Sequence, residues 1–159
     1  MMQNNATVTK VIRNLDFVGA IIMIVALFLG DFYADDGGAY AAQSVKGYRL
    51  ILNSDYMLGT LLILLPAMML IVKYISSLKN NVKLIELVCP IITIIFVFVL
   101  KGQVGDVADG TVSFAMGAWI YLLGNVLALI GAGAAFFNVD LEKKIQEVAK
   151  GNQKDTDNK

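Results

Sequence analysis

From Thr111 to Val139 the chain carries no Asp, Glu, Lys or Arg. Roughly 20 helical residues cross the hydrocarbon of a bilayer, and this run is longer than that. A water-soluble globule of 159 residues has too little interior to cover such a stretch on every side. Composition carries the constraint to the whole chain. Hydrophobic residues make up 57% and charged residues 16%, with a mean hydropathy of +0.67, where soluble domains carry about 25% charged residues. The fold class expected is an all-α integral membrane protein.

Three further apolar blocks accompany the first. Together they predict a four-transmembrane-helix bundle in one membrane domain, residues 1–150, with spans at about 15–34, 56–75, 84–100 and 114–137. The first block is uncharged only from Phe17 to Gly30. It becomes an adequate span if Asp31 sits at the headgroups with Phe32 and Tyr33 as its aromatic belt. A signal-peptide core has the same length, and Ala39-Tyr40-Ala41 has the small-x-small form of a cleavage site. Asp31, Asp35 and Asp36 intervene, however, which favours a retained span.

Orientation follows from the basic residues. Of the 13 Lys and Arg, only Lys46, Arg49 and Lys101 fall between spans one and two or between three and four. The rest flank the other ends, so the positive-inside rule places both termini in the cytoplasm. Lys far outnumbers Arg, and Asn and Ile are plentiful, which points to a bacterial cytoplasmic membrane.

Several chemistries are disfavoured. Zero formal net charge offers no basic face to nucleic acid. The absence of His removes the commonest general base, and Cys89 alone forms no internal disulfide. No catalytic constellation or cofactor motif is readable, so the expectation is no enzyme and no cofactor. The middles of the predicted spans hold no ionisable group. Glu86, one turn inside span three, is expected to pair with Lys83 at i, i+3, a proton or cation site being the sharper alternative. Lys73 is expected to snorkel to the interface.

The remaining candidates are packing and polar features. Gly124, Ala128 and Ala132 recur every four residues in span four, with Gly131 beside them, and small residues so spaced let helices approach closely. Asn125 is the deepest polar group, with Tyr121 a turn before it and Thr93 at similar depth in span three, so the three are expected to share a polar contact. Trp119 and Tyr121 read as interface anchors. Pro66 and Pro90 are expected to kink their helices.

Between spans, Val45 to Leu52 reads as a short strand, and Val107 to Val112, around Asp109-Gly110, as a hairpin. These predict a small extracellular β-cap. The outer acids Asp31, Asp35, Asp36, Asp106 and Asp109 offer oxygen ligands to a hard cation, with a solvated acidic surface as the bland alternative. An EF-hand does not fit, because Tyr33 breaks the acidic alternation and Ala42 replaces the closing Glu. Val8, Val11, Ile12 and Leu15 form an apolar stripe before span one. Leu141, Ile145 and Val148 form another, in an amphipathic helix over about 139–150, and 151–159 reads as a disordered tail.

The functional expectation is a non-enzymatic interaction partner: an accessory, assembly or immunity-type subunit held in a lipid bilayer and bound to a protein partner or to its own copies. The alternative is a small oligomeric transporter or channel subunit.

Overall fold

The structure, a computed structural model, describes residues 11–35, 44–53, 56–75, 78, 81–108, 111–141 and 143–144. It is mostly helical with one small sheet. Helix α1 is Leu15–Ala26, strand β1 Asp31–Asp35, strand β2 Val45–Lys46 and the short helix α2 Gly47–Leu52. A 3₁₀ turn at Met57–Thr60 leads into α3, Leu61–Ile71, which ends in a second 3₁₀ turn at Val72–Tyr74. Helix α4 is Val82–Ala108, β3 is Val112–Phe114 and α5 is Met116–Phe136.

Two of these helices, α4 and α5, are long and apolar enough to cross a membrane. In their most apolar windows only 28% and 33% of residues are buried inside the protein. The core helix of a soluble protein would be mostly covered; each of these leaves a continuous apolar stripe uncovered. Ile91, Ile95 and Phe98 of α4 and Leu123, Val126 and Ile130 of α5 are all exposed. The two shorter apolar helices continue the pattern, with Ile21 and Val25 exposed on α1 and Leu64 and Ile71 on α3.

Each of the four apolar helices packs on two others, in the order α1, α5, α4, α3 and back to α1. Contact between α1 and α5 is the most extensive, because glycine and alanine line both faces. A Cβ at Gly19 would run into the backbone of Ala128 and Gly124, and one at Gly131 into the backbone of Leu15 and Asp16. Dispersion contacts at such short range hold helices together where lipid supplies no hydrophobic drive.

The first predicted span needs correction. It does not continue as helix to residue 34: α1 stops at Ala26, and Gly30, at φ 68°, turns the chain into β1. Positive φ is strained for residues with a Cβ, and glycine adopts it freely. Phe32 and Tyr33 are accordingly no aromatic belt. Both are fully buried in the sheet, and Phe32 stacks edge-on against Tyr33 and Tyr121 at centroid distances of 5.0 and 5.5 Å.

The sheet has the order β2-β1-β3, all antiparallel, with Tyr33 opposite Phe114 and Asp35 opposite Val112. It closes one end of the helix ring. Its make-up departs from expectation in two places. Only Val45–Lys46 of the first predicted strand is extended, and residues 47–52 are helical. No Val107–Val112 hairpin forms, because Val107 and Ala108 finish α4 while Val112 pairs with β1. The Tyr33 hydroxyl donates to the Val97 carbonyl at 2.6 Å, fastening the sheet to α4.

At the other end, Asn138 (φ 54°) follows α5 in the left-handed conformation, and the Val139 N–H returns to the Ala134 carbonyl at 2.8 Å. This six-to-one bond satisfies an orphan carbonyl of the last turn. Asp140 then caps the next turn, its carboxylate accepting from the Lys143 N–H at 3.2 Å. Residues 145–150 of the predicted amphipathic helix and the 151–159 tail lie outside the described residues.

Candidate functional site

The end of the helix ring opposite the sheet gathers three charges from three segments. Asp16 lies in the first turn of α1, where the helix dipole favours an anion. The close approach of Gly131 to the Asp16 backbone draws it inward, and only 8% of its side chain stays accessible. Lys73 sits in the 3₁₀ turn that ends α3. Glu86 lies near the start of α4, its side chain 4% accessible.

Lys73 Nζ donates to Asp16 Oδ2 at 2.6 Å and stands 3.3 Å from Glu86 Oε1. The two contacts are unequal. The first is a formed, charge-assisted hydrogen bond; Glu86 Oε1 is buried with no hydrogen-bond partner among the described residues. One ammonium thus faces two carboxylates, leaving the group with a surplus negative charge when both acids are ionised. Burying an uncompensated charge costs several kcal/mol. Lys73 remains 39% accessible, so the group meets the surface along one edge.

This arrangement corrects the expected Glu86–Lys83 pair. Lys83 is exposed and donates to Asn138 Oδ1 at 2.7 Å, tying the start of α4 to the end of α5. Glu86 turns inward to Lys73, which joins three segments instead of only reaching the interface. Asp16 was not singled out from sequence. Topology carried the signal: Asp16 opens the first apolar helix, Lys73 closes the second and Glu86 opens the third, so alternating helices bring all three to one end.

The deeper polar residues do not form the expected shared contact. The Tyr121 hydroxyl donates to the Leu62 carbonyl at 2.7 Å, and Tyr121, fully buried, is not an interface anchor. Thr93 Oγ1 donates within its own helix to the Cys89 carbonyl at 2.6 Å. Asn125 is fully buried, and neither its amide nitrogen nor its oxygen has a hydrogen-bond partner among the described residues. Trp119 is exposed at the sheet end, its ring 5.7 Å from that of Phe114.

Gly124, Ala128, Gly131 and Ala132 are all buried in α5, with Gly124 against the Gly19 carbonyl and Ile22. Pro66 and Pro90 are buried inside α3 and α4. Of the acids at the sheet end, Asp31 is half-buried and Asp106 exposed. Asp36, Asp109 and the Asp35 side chain lie outside the described residues, among which no three potential metal ligands come together.

No protein-family model, no curated protein and no solved structure matches this chain.

Proposed function

We propose that this chain is a four-span membrane protein with both termini in the cytoplasm, acting as a non-enzymatic interaction subunit of accessory, assembly or immunity type. The apolar collar carries the reading: exposed aliphatic and aromatic side chains project from α1, α3, α4 and α5 alike. Contact with water would cost about 25 cal/mol for every Å² of that surface, whereas lipid or a partner helix removes the cost. The 3₁₀ turns lengthen α3 to residues 57–74, close to the roughly 20 residues of a span, and α1 reaches the sheet through residues 27–30. The sheet would then face outward, and the group around Lys73 would lie at the cytoplasmic boundary.

The experiment is purification from native membranes in mild detergent under a C-terminal tag, with the complex mass measured and bound proteins identified by mass spectrometry. A partner at fixed stoichiometry supports the reading; a complex of this chain alone overturns it.

A second reading, a small oligomeric transporter or channel subunit, draws support from a different observation. Ionisable groups buried in a membrane protein tend to be functional; Asp16 and Glu86 are buried acids, and the buried Asn125 amide has no hydrogen-bond partner among the described residues. It predicts saturable flux from the purified protein in vesicles, lost in Asn125→Leu while assembly survives.

A further inference from the structure

We propose that Glu86 is a reversible proton-binding site, loaded from the aqueous edge beside Lys73. The inference requires only the local geometry and goes beyond either functional reading. Two buried carboxylates share one ammonium, and the bonding is asymmetric. Asp16 holds the 2.6 Å hydrogen bond and lies in the first turn of α1, where the helix dipole favours negative charge. Glu86 Oε1 has the longer 3.3 Å approach and no hydrogen bond among the described residues. The surplus charge therefore falls on Glu86, and a proton is the smallest ligand that removes it.

Among the described residues, Lys73 is the one cation within ion-pair distance of Glu86. α1 contributes Asp16, the turn after α3 contributes Lys73, and α5 contributes no charged residue from Met116 to Phe136. On α4 itself, Lys83 is engaged by Asn138 and Cys89 is a buried thiol. Arg13 is exposed and lines a groove of about 440 Å³ with Asp140. Pro90 adds a further acceptor, since it lacks the N–H that would bond the Glu86 carbonyl in an unbroken helix. The Glu86 carboxylate takes one proton from hydronium reaching the exposed edge of Lys73, releasing water and becoming a neutral acid, while Lys73 keeps its protons and its bond to Asp16. The protonated acid no longer attracts Lys73, so the tie from α4 to the end of α3 weakens.

Infrared difference spectroscopy of the full chain in lipid vesicles, stepped from neutral to acidic buffer, tests this. The chain carries Glu142→Gln and Glu147→Gln, which leaves Glu86 as its one glutamate, and is compared with and without isotope-labelled glutamate. The expected result is a protonated-carboxyl band that grows on acidification and shifts with the label. Glu86→Gln should abolish the band, and the labelled parent gives the assignment even if that variant fails to fold. Absence of a label-sensitive band throughout the titration overturns the proposal, as does a carboxylate signal that responds to sodium concentration instead of pH.

Discussion

The Tyr121 hydroxyl donates a 2.7 Å hydrogen bond to the Leu62 carbonyl, the oxygen that the residue at position 66 would bond in an unbroken helix. That residue is Pro66, which has no N–H to give. A proline inside an apolar helix is tolerable when a neighbour satisfies the carbonyl it frees. Here the partner is a tyrosine on α5, across the ring from α3, and it is fully buried so that no water competes for its hydroxyl.

Tyr121→Phe should therefore destabilise the fold by about 1 kcal/mol, typical of hydrogen bonds between membrane helices. In a Pro66→Ala background the same change should cost much less, because alanine restores the backbone donor. A double-mutant cycle measured by detergent unfolding checks this. Equal penalties in both backgrounds would show that the Tyr121 bond serves something other than Pro66.

Backbone contact between α1 and α5 gives a second expectation. Gly19→Ala should cost about 1–3 kcal/mol, the usual range for overpacking, because the obstructing atoms belong to backbone that cannot rotate away. Gly133→Ala on α5 and Gly102→Ala on α4 are the controls: nothing lies within 4 Å of either added Cβ. Those two should be neutral or stabilising by up to about 1 kcal/mol through the lower backbone entropy cost of alanine. Unfolding midpoints of the three variants decide it, and equal effects would contradict the packing.

How much of this was legible in sequence depends on the range of each interaction. The long apolar helices α4 and α5 were readable because each block announces itself without reference to anything distant. The end of α1 was misread: Phe32 and Tyr33 are aromatic residues after an apolar run, and nothing local distinguishes an interfacial belt from a buried strand. Only pairing with Phe114, far along the chain, settles Tyr33. The Asp109-Gly110 hairpin failed for the same reason, since Val112 pairs with β1 instead of the segment before it. Asp16 stands at the first turn of the predicted span 15–34, where nothing local marks it as buried; its burial depends on Gly131 drawing α5 against the start of α1. The Tyr121 bond became visible only once α3 and α5 were placed.

The charged group predicts an order of destabilisation that counting contacts would miss. Asp16→Asn leaves Lys73 and Glu86 as a balanced pair and should cost about 1–3 kcal/mol. Lys73→Met removes the ammonium from both acids, stranding two buried carboxylates, and should cost more, about 3–5 kcal/mol at neutral pH. Acidification should narrow the gap, because protonation relieves carboxylates that lack a counter-charge. Detergent unfolding at neutral and acidic pH reads both effects; a Lys73→Met penalty smaller than that of Asp16→Asn would mean the group is solvated rather than buried.

Topology is the expectation with the widest reach, because the sidedness of every other feature follows from it. If the positive-inside bias sets the orientation, Lys83 and Lys143 lie on the cytoplasmic side with the charged group, and Asp106 and Ser113 lie outside with the sheet. Cys89 is buried, so Cys89→Ala removes the native thiol at a modest packing cost and leaves a background for single reporters. Asp106→Cys should then react with a membrane-impermeant maleimide on intact cells, and Lys83→Cys and Lys143→Cys only after permeabilisation. The reverse pattern would invert the protein and put Glu86 in contact with the outer medium. Labelling of Lys83→Cys and Lys143→Cys from opposite sides would show that one of α4 and α5 does not cross, and the side on which Asp106→Cys reacts would say which.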